Sequence, residues 1–423
     1  MMSVRLVLCL FPLLMGCANF RHLASDLEPF QKGYLVTGVI ENADDFKVPV
    51  RVAVFEWNRS DGRIYSGDRL DLAAGGAFAF SVKSPVNQHV AAFADDNRDG
   101  KWQAGEALWF HEGPVDLNGE RRMVKVRGRL AHGLRLPADL QKASRDALAG
   151  RVTEEAIQNR GVRIVAGEVA DLDDPRFAAT RGPDGLWTPA TLAITQGFGV
   201  YFLEPYDPLR TPVLFVHGAA GSPQDWRKAM EELDRKRYQA WFYFYPSGGR
   251  LEKAAGALDQ VVGLLRGRYG FERLDVVAHS MGGLVARRFV IKNRIEGGHR
   301  YIRNFVTFST PWDGHEAAQM GVKWAPTVVP SWYDMEQGSA FLEDLFDRRL
   351  QGRVRHHLFY GHRASRSVLL PAENDGTVSV ASQTRKEARE DAVRVLGYDE
   401  DHISILSARG PLAELMAVLD AGQ

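Results

Sequence analysis

Ten residues constrain this chain more than any others: Leu274-Asp275-Val276-Val277-Ala278-His279-Ser280-Met281-Gly282-Gly283. A short apolar run ends in a serine flanked by small residues, and a helical pattern follows. A hydroxyl held at the tip of a tight strand-to-helix turn leaves room only for Gly or Ala two residues to either side, because the chain passes so close to itself. Ala278 and Gly282 hold those two places. Beyond the turn Met281, Val285 and Phe289 recur at a spacing of four, with Gly282, Ala286 and Val290 beside them, so a helix can lie closely on a sheet. A bare match to G-x-S-x-G arises often by chance, and the strand before and helix after are what give this one weight.

From Thr211 onward buried runs alternate with amphipathic ones. Val213 to Val216, Ala240 to Tyr245, Leu274 to Ala278 and Phe305 to Phe308 suit central strands of a parallel sheet, and Leu251 to Arg268 and Pro411 to Leu419 read as helices. This alternation implies an α/β domain over residues 208–423: a doubly wound, mostly parallel sheet with Ser280 at the carboxyl end of a central strand. Residues 34–130 have another texture, short alternating runs such as Val48 to Phe55 and Ala77 to Val82 between Asp/Asn/Gly turns, which reads as a smaller all-β sandwich. Residues 131–207 read as a connector, helical from Ala138 to Asn159, then rich in Gly, Pro and Asp from Gly161 to Pro208. That last stretch suits either an extended link or the first strands of the following domain.

The chain has 423 residues with 53 basic and 53 acidic side chains, so charge makes no case for a nucleic-acid partner. Arg5 precedes an apolar stretch, Leu6 to Leu14, too short to span a bilayer and shaped like the core of a secretory signal. Its end, Leu14-Met15-Gly16-Cys17, resembles the bacterial lipobox. That resemblance implies a signal peptide over 1–16, diacylation of Cys17, a polar tether over 17–33 and a membrane partner engaged through the lipid. Ala18 after the Cys favours the outer membrane. Of the two cysteines, Cys9 would leave with the signal and Cys17 would carry lipid, so thiol catalysis, disulfides and cysteine-bound metals are excluded.

A serine is a poor nucleophile at neutral pH and needs a histidine base and an acid to orient it. The best base is His402, in the polar loop Tyr398 to Ser404 between a last strand, Val393 to Leu396, and a final helix. The best acid is Asp375, in Glu373-Asn374-Asp375-Gly376-Thr377-Val378, a loop beyond the strand His357 to Tyr360. The order Ser, Asp, His is that of the α/β-hydrolase fold. The oxyanion site requires two backbone N–H groups. One is expected from Met281 and the other from Ala219, in Phe215-Val216-His217-Gly218-Ala219-Ala220-Gly221. There Ser222-Pro223-Gln224-Asp225 reads as a capping box, and His217 as a structural residue beneath the loop.

The segments His217-Gly218, Ala278 to Gly283, Asn374 to Val378 and His402 resemble those of bacterial α/β-hydrolase lipases and esterases, including the GPI-inositol-deacylase-like group. The resemblance spans about Thr211 to Leu419. It departs in Ala278, where a first glycine is usual, and in the absence of a glycine triplet from the oxyanion loop, which argues against large tertiary-alcohol esters.

Each assignment has a competitor. His356, His357 or His362 offers another base, and Glu373 or Asp313 another acid. Trp312 to Phe346 lies where such hydrolases insert a cap, and its aromatics, Trp312, Trp324, Trp332, Tyr333, Phe341 and Phe346, either line an acyl pocket or close the core. Asp95, Asn97, Asp99 and Glu106, with Gly100 at the sixth place, fit the spacing of a calcium loop, but the strand-like flanks are wrong for an EF-hand and favour an ion-free acidic hairpin turn over a structural calcium site. The expectation is a lipid-anchored protein of the bacterial cell envelope whose Ser280 forms an acyl-enzyme with a small-molecule or lipid ester. No cofactor and no metal are required, and nothing in the sequence fixes an oligomeric state. An acyltransferase using the same residues, or a non-catalytic envelope binding protein with the sandwich as its working part, are the alternatives.

Overall fold

The computed structural model describes residues 19–28, 33–146, 157–158, 161–363 and 371–421. The expected signal segment and Cys17 lie outside these; within the expected tether, residues 19–28 are helical. Contacts divide the chain into two units, Leu27–Glu168 with Ala190–Phe198, and Met1–Asp26 with Val169–Pro189 and Gly199–Gln423.

The first unit contains β1 (Tyr34–Ile40), β2 (Val50–Asn58), β3 (Arg63–Asp71), β4 (Ala77–Val82), β5 (Gln88–Ala94), β6 (Leu108–Phe110), β7 (Met123–Gly128), β8 (Ile157–Gln158) and β9 (Val162–Val169). Neighbours run β9-β4-β1-β7 in one sheet and β6-β5-β2-β3-β8 in the other. Alternation along β2 turns Val50, Val52 and Val54 inward, where they meet Val90 of the same sheet and Val36, Ile40, Phe78, Phe80 and Val126 of the other in one buried cluster. This is the expected β-sandwich. The connector differs from expectation. The helix Ala138–Asp146 forms, but Ile157 and Gln158 are strand, pairing with Gly67 and Asp68 of β3. The unpaired backbone groups at the edge of β3 favour extended chain over local helix there.

In the second unit β10 (Phe198–Phe202), β11 (Thr211–Val216), β12 (Tyr238–Phe244), β13 (Leu274–His279), β14 (Ile302–Phe308), β15 (Arg355–Gly361) and β16 (Ala392–Tyr398) form neighbours in the order β16-β15-β14-β13-β11-β12-β10. All pairs are parallel except β10 on β12, so the sheet starts one strand earlier than residue 208. Every residue of β12 and β13 is buried, as strands covered on both faces require. The helices Leu251–Tyr269, Met281–Val290 and Arg409–Asp420 flank these strands in the chain. The chain passes from β11 to β12 on one side and then to β13 on the other, which makes the carboxyl ends of β11 and β13 a topological switch point. A crevice opens there, because successive connections leave in opposite directions. Val216 pairs with Ala278 across it, so the loop after Val216 and the turn after Ala278 emerge side by side.

The acidic hairpin between β5 and β6 is satisfied from within. Asp95 accepts the N–H groups of Asp99 and Gly100 at 3.1 and 3.0 Å and pairs with Arg51 at 2.9 Å, while Glu106 accepts those of Asp96 and Gln103 at 2.9 and 2.8 Å. Gly100 adopts φ 79°, the left-handed conformation that closes the turn. A guanidinium of the chain itself supplies the positive charge. Asp95→Ala is therefore expected to cost about 2 kcal/mol, the worth of charge-assisted hydrogen bonds that leave donors unpaired when lost. Denaturant unfolding measures this, and the wild-type melting temperature is expected to be the same in calcium and in chelator.

Candidate active site

Ser280 sits at φ 52° and ψ −132°, between the last residue of β13 and the first of the helix Met281–Val290. Such a conformation costs a non-glycine residue about 1–3 kcal/mol. Close packing on every side imposes it. A Cβ on Gly282 would collide with the carbonyl oxygen of His217, one on Gly283 with the side chain of Thr310, and one on Gly218 would come to 2.9 Å from the Ser280 Cβ. The small residues read from the sequence are thus where the elbow needs them.

The loop after β16 brings His402 to this elbow. Its Nε2 lies 2.9 Å from Ser280 Oγ, and its Nδ1 donates to Asp375 Oδ2 at 2.7 Å. The other Asp375 oxygen accepts the N–H groups of Val378 and Thr377 at 2.8 and 3.0 Å. Burial pushes the Asp375 carboxyl up, but His402 and these two N–H groups outweigh it and hold the group below the usual carboxylate range. The His402 N–H also donates to the Asp375 carbonyl at 2.8 Å, so backbone and side chain both tie the two loops together.

Ala219 and Met281 line the same cavity as Ser280. Met281 opens its helix, so its N–H belongs to the first turn, which has no acceptor within the helix. The loop bearing Ala219 is fixed by Ala220, whose N–H donates to Ser247 Oγ at 3.1 Å, and by the expected capping box, in which Ser222 and Asp225 bond reciprocally. His217 lies beneath it: Nδ1 donates to the Gly218 carbonyl at 2.9 Å and Nε2 accepts from the Tyr245 N–H at 3.3 Å, with the ring stacked on Tyr245. Burial lowers its pKa to about 4, so it is neutral. His279, whose role the sequence did not disclose, donates from Nε2 to the His402 carbonyl at 2.8 Å and is held neutral by burial and by His402, its pKa lowered to about 3.

The rival residues lie elsewhere. His356 is buried on β15 against Phe305 and bonded to Thr307 Oγ1 at 3.0 Å; burial, then Arg287, lower it to about 3. His357 is on the same strand and His362 just beyond it. Glu373 is exposed, and Asp313 faces Arg385 at 3.5 Å.

The cavity has a volume of about 360 Å³. Beyond the elbow and the loop bearing Ala219, Pro311, His315, Ala318, Trp332, Met335 and Ile403 contribute to its lining. The expected cap aromatics divide. Trp312 and Phe346 close the core around buried Arg287, which pairs with Asp391 at 2.6 Å; Trp332 lines the cavity; Trp324 and Tyr333 are exposed. The cap is pinned by buried Asp334, which accepts the N–H of Leu251 at 2.6 Å and pairs with Arg250 at 2.7 Å. His315 escaped the sequence reading because nothing in Thr310 to His315 marks it; its Nδ1 accepts the Ala317 N–H at 3.1 Å.

Residues 211–386 match the family model described as the alpha/beta hydrolase fold. With the strand order and the elbow, this gives the C-terminal unit an α/β-hydrolase fold. Solved structures similar to the chain include the mature Bacillus licheniformis lipase BlEst2 (18% identity, TM-score 0.41, 52% of this chain and 97% of that one). Phospholipase PlaB from Legionella pneumophila is 18% identical (TM-score 0.34, 41% and 45%). A putative aryl esterase from Burkholderia cenocepacia is 14% identical (TM-score 0.36, 51% and 92%). No curated protein sequence matches the chain.

Because His217, His279 and His356 are lowered to about 4, 3 and 3 when folded and titrate near 6.5 when unfolded, the unfolded chain binds more protons between those values. The stability they contribute is complete above pH 6.5 and is lost as pH falls toward about 4 and 3. Thermal unfolding across this window is expected to show falling stability with falling pH. In His356→Gln, which lies away from the cavity, the slope is expected to be shallower by one histidine's contribution.

Proposed function

We propose that the protein is a serine carboxylic-ester hydrolase that works through an acyl-enzyme on Ser280. The reading rests on one observation, the continuous chain from Ser280 Oγ to His402 at 2.9 Å and from His402 to Asp375 at 2.7 Å. In this reading His402 Nε2 takes the Ser280 proton as Oγ attacks the ester carbonyl, and Asp375 fixes the imidazole tautomer and stabilises its charged form. The N–H groups of Ala219 and Met281 receive the developing oxyanion. Collapse of the tetrahedral intermediate breaks the bond to the alkoxy oxygen, which leaves as the alcohol with the proton from His402. Water, deprotonated by the same nitrogen, then releases the acid. The apolar share of the lining, Ala318, Trp332, Met335 and Ile403, suits an apolar acyl group. No step needs a cofactor or a metal.

The cellular setting is part of the proposal. Leu14 to Cys17 supports cleavage before Cys17 and its diacylation, and Ala18 supports the outer membrane of the bacterial envelope. Two acyl chains suffice for stable anchoring.

A fluorophosphonate probe is expected to label the wild type at Ser280 and to leave Ser280→Ala unlabelled. On a panel of p-nitrophenyl esters Asp375→Asn is expected to lower kcat by about 10⁴, as loss of the tautomer-fixing acid does. Absence of both labelling and turnover would falsify the proposal. Product analysis with added alcohol or amine acceptors separates hydrolysis from acyl transfer.

A further inference from the structure

The cavity mouth continues into an exposed apolar surface that the chemistry above does not use. Ala317 lines the cavity on the helix Glu316–Trp324, and Met320 and Trp324 follow it at helical spacing on the same face. Met320 is 45% exposed and Trp324 73%. At another part of the rim Ile403, beside His402 in sequence, is 66% exposed. Large apolar side chains gathered around one opening mark a contact surface, since single exposed ones scatter. Lys323 lies 5.0 Å over the Trp324 ring, which puts a cation beside the indole as at a lipid headgroup layer.

A second observation says what covers this surface. The helix over 19–28 places Phe20 edge-on to Trp187 at 5.2 Å and to Trp332 at 6.3 Å, and the two indoles meet each other at 5.9 Å. Trp332 is a wall of the cavity, and its ring is packed against Gly321 of the helix that carries Met320 and Trp324. Cys17 stands three residues before Phe20. An extended chain gains at most about 3.6 Å per residue, so a lipid on Cys17 starts within about 11 Å of the Phe20 backbone. A tether that short cannot carry the cavity mouth far from the bilayer.

We propose that the surface formed by Met320, Trp324 and Ile403 lies on the bilayer that holds the Cys17 lipid, so that the cavity opens toward the membrane and takes its ester from there. This rests on the lipid anchor and on the acyl-enzyme reading given above. Phe20 and Trp332 couple anchor to mouth, and the ester class is one whose acyl chains reside in a lipid layer.

The test uses the full chain as matured in a bacterial envelope, incorporated into phosphatidylethanolamine–phosphatidylglycerol vesicles with brominated acyl chains. Flotation and intact mass report the anchor; tryptophan quenching reports the surface. Quenching is expected in the wild type and is expected to fall in Trp324→Phe. In Met320→Ser/Trp324→Ser, turnover of a vesicle-embedded ester is expected to fall about tenfold, the effect of losing two apolar side chains from the lipid layer partly offset by the anchor, while turnover of soluble p-nitrophenyl acetate stays within about twofold. Circular dichroism and melting confirm that the variants fold. Flotation with quenching indifferent to Trp324, or equal losses on both esters, overturns the inference and leaves the anchor standing. No flotation and an unmodified Cys17 overturn the anchor and the inference with it. Absence of turnover on either ester indicts the acyl-enzyme reading alone, since quenching still reads the surface. Quenching-insensitive burial of Trp324 that grows with protein concentration without vesicles points to a second copy and also overturns it.

Discussion

The close approach of two backbones at the switch point governs this site. The β11 loop and the β13 turn emerge side by side because Val216 and Ala278 are paired, and the helix after Ser280 starts against the His217 carbonyl. No side chain fits at Gly282, and Ser280 is driven to φ 52°. That strained angle lifts the hydroxyl out of the sheet. It also sets Met281, whose helix-start N–H has no acceptor within the helix, beside the loop that carries Ala219. The exposed Ser280 hydroxyl and the N–H groups beside it therefore share one cause, the packing of strand against strand.

Around this elbow, burial sorts the histidines. Three of them, His217, His279 and His356, are neutral because their charged forms would be desolvated, and each gives at least one ring nitrogen to a fixed partner. Among the described residues His402 alone of the buried histidines bonds to both a hydroxyl and a carboxylate. His279 holds the His402 backbone while Asp375 holds its ring, so the imidazole is oriented by two groups, one at the end of β13 and one in the loop beyond β15.

Much of this was legible in the sequence, and the limits have physical reasons. The elbow announced itself because steric exclusion writes small residues at fixed offsets, and the parallel sheet because burial on both faces writes unbroken apolar runs. That Ser280, Asp375 and His402 would meet could be read from chain order, since each lies in a turn or loop beyond a strand of recognisable texture. His279 and His315 could not, because a hydrogen bond to a backbone carbonyl or N–H leaves no mark on residue type. Nor could the strand at Ile157, whose partner, the edge of β3, is some ninety residues earlier in the chain. The cap aromatics were ambiguous for a related reason: a tryptophan closing a core, like Trp312, and one facing solvent, like Trp324, have the same letter.

Asp334 gives the roof of the cavity an unequal construction. It is clamped to Arg250 and to the first turn of the helix Leu251–Tyr269, so the cap from Ser331 onward is joined to the body of the sheet. The segment from Asp313 to Val329 is clamped at its start, where Asp313 faces Arg385 at 3.5 Å, the Asp313 N–H donates to Ser382 Oγ at 3.2 Å and Ser382 Oγ donates to the Gly314 carbonyl at 2.6 Å; the helix Glu316–Trp324 that follows packs through Gly321 on Trp332 of the cap. The cap is thereby divided into clamped ends and one helix between them that is held by packing. The shape of the cavity can drift, in natural divergence or by segment grafting, through changes in the helix Glu316–Trp324, whose Ala317 and Ala318 line it, without disturbing the elbow.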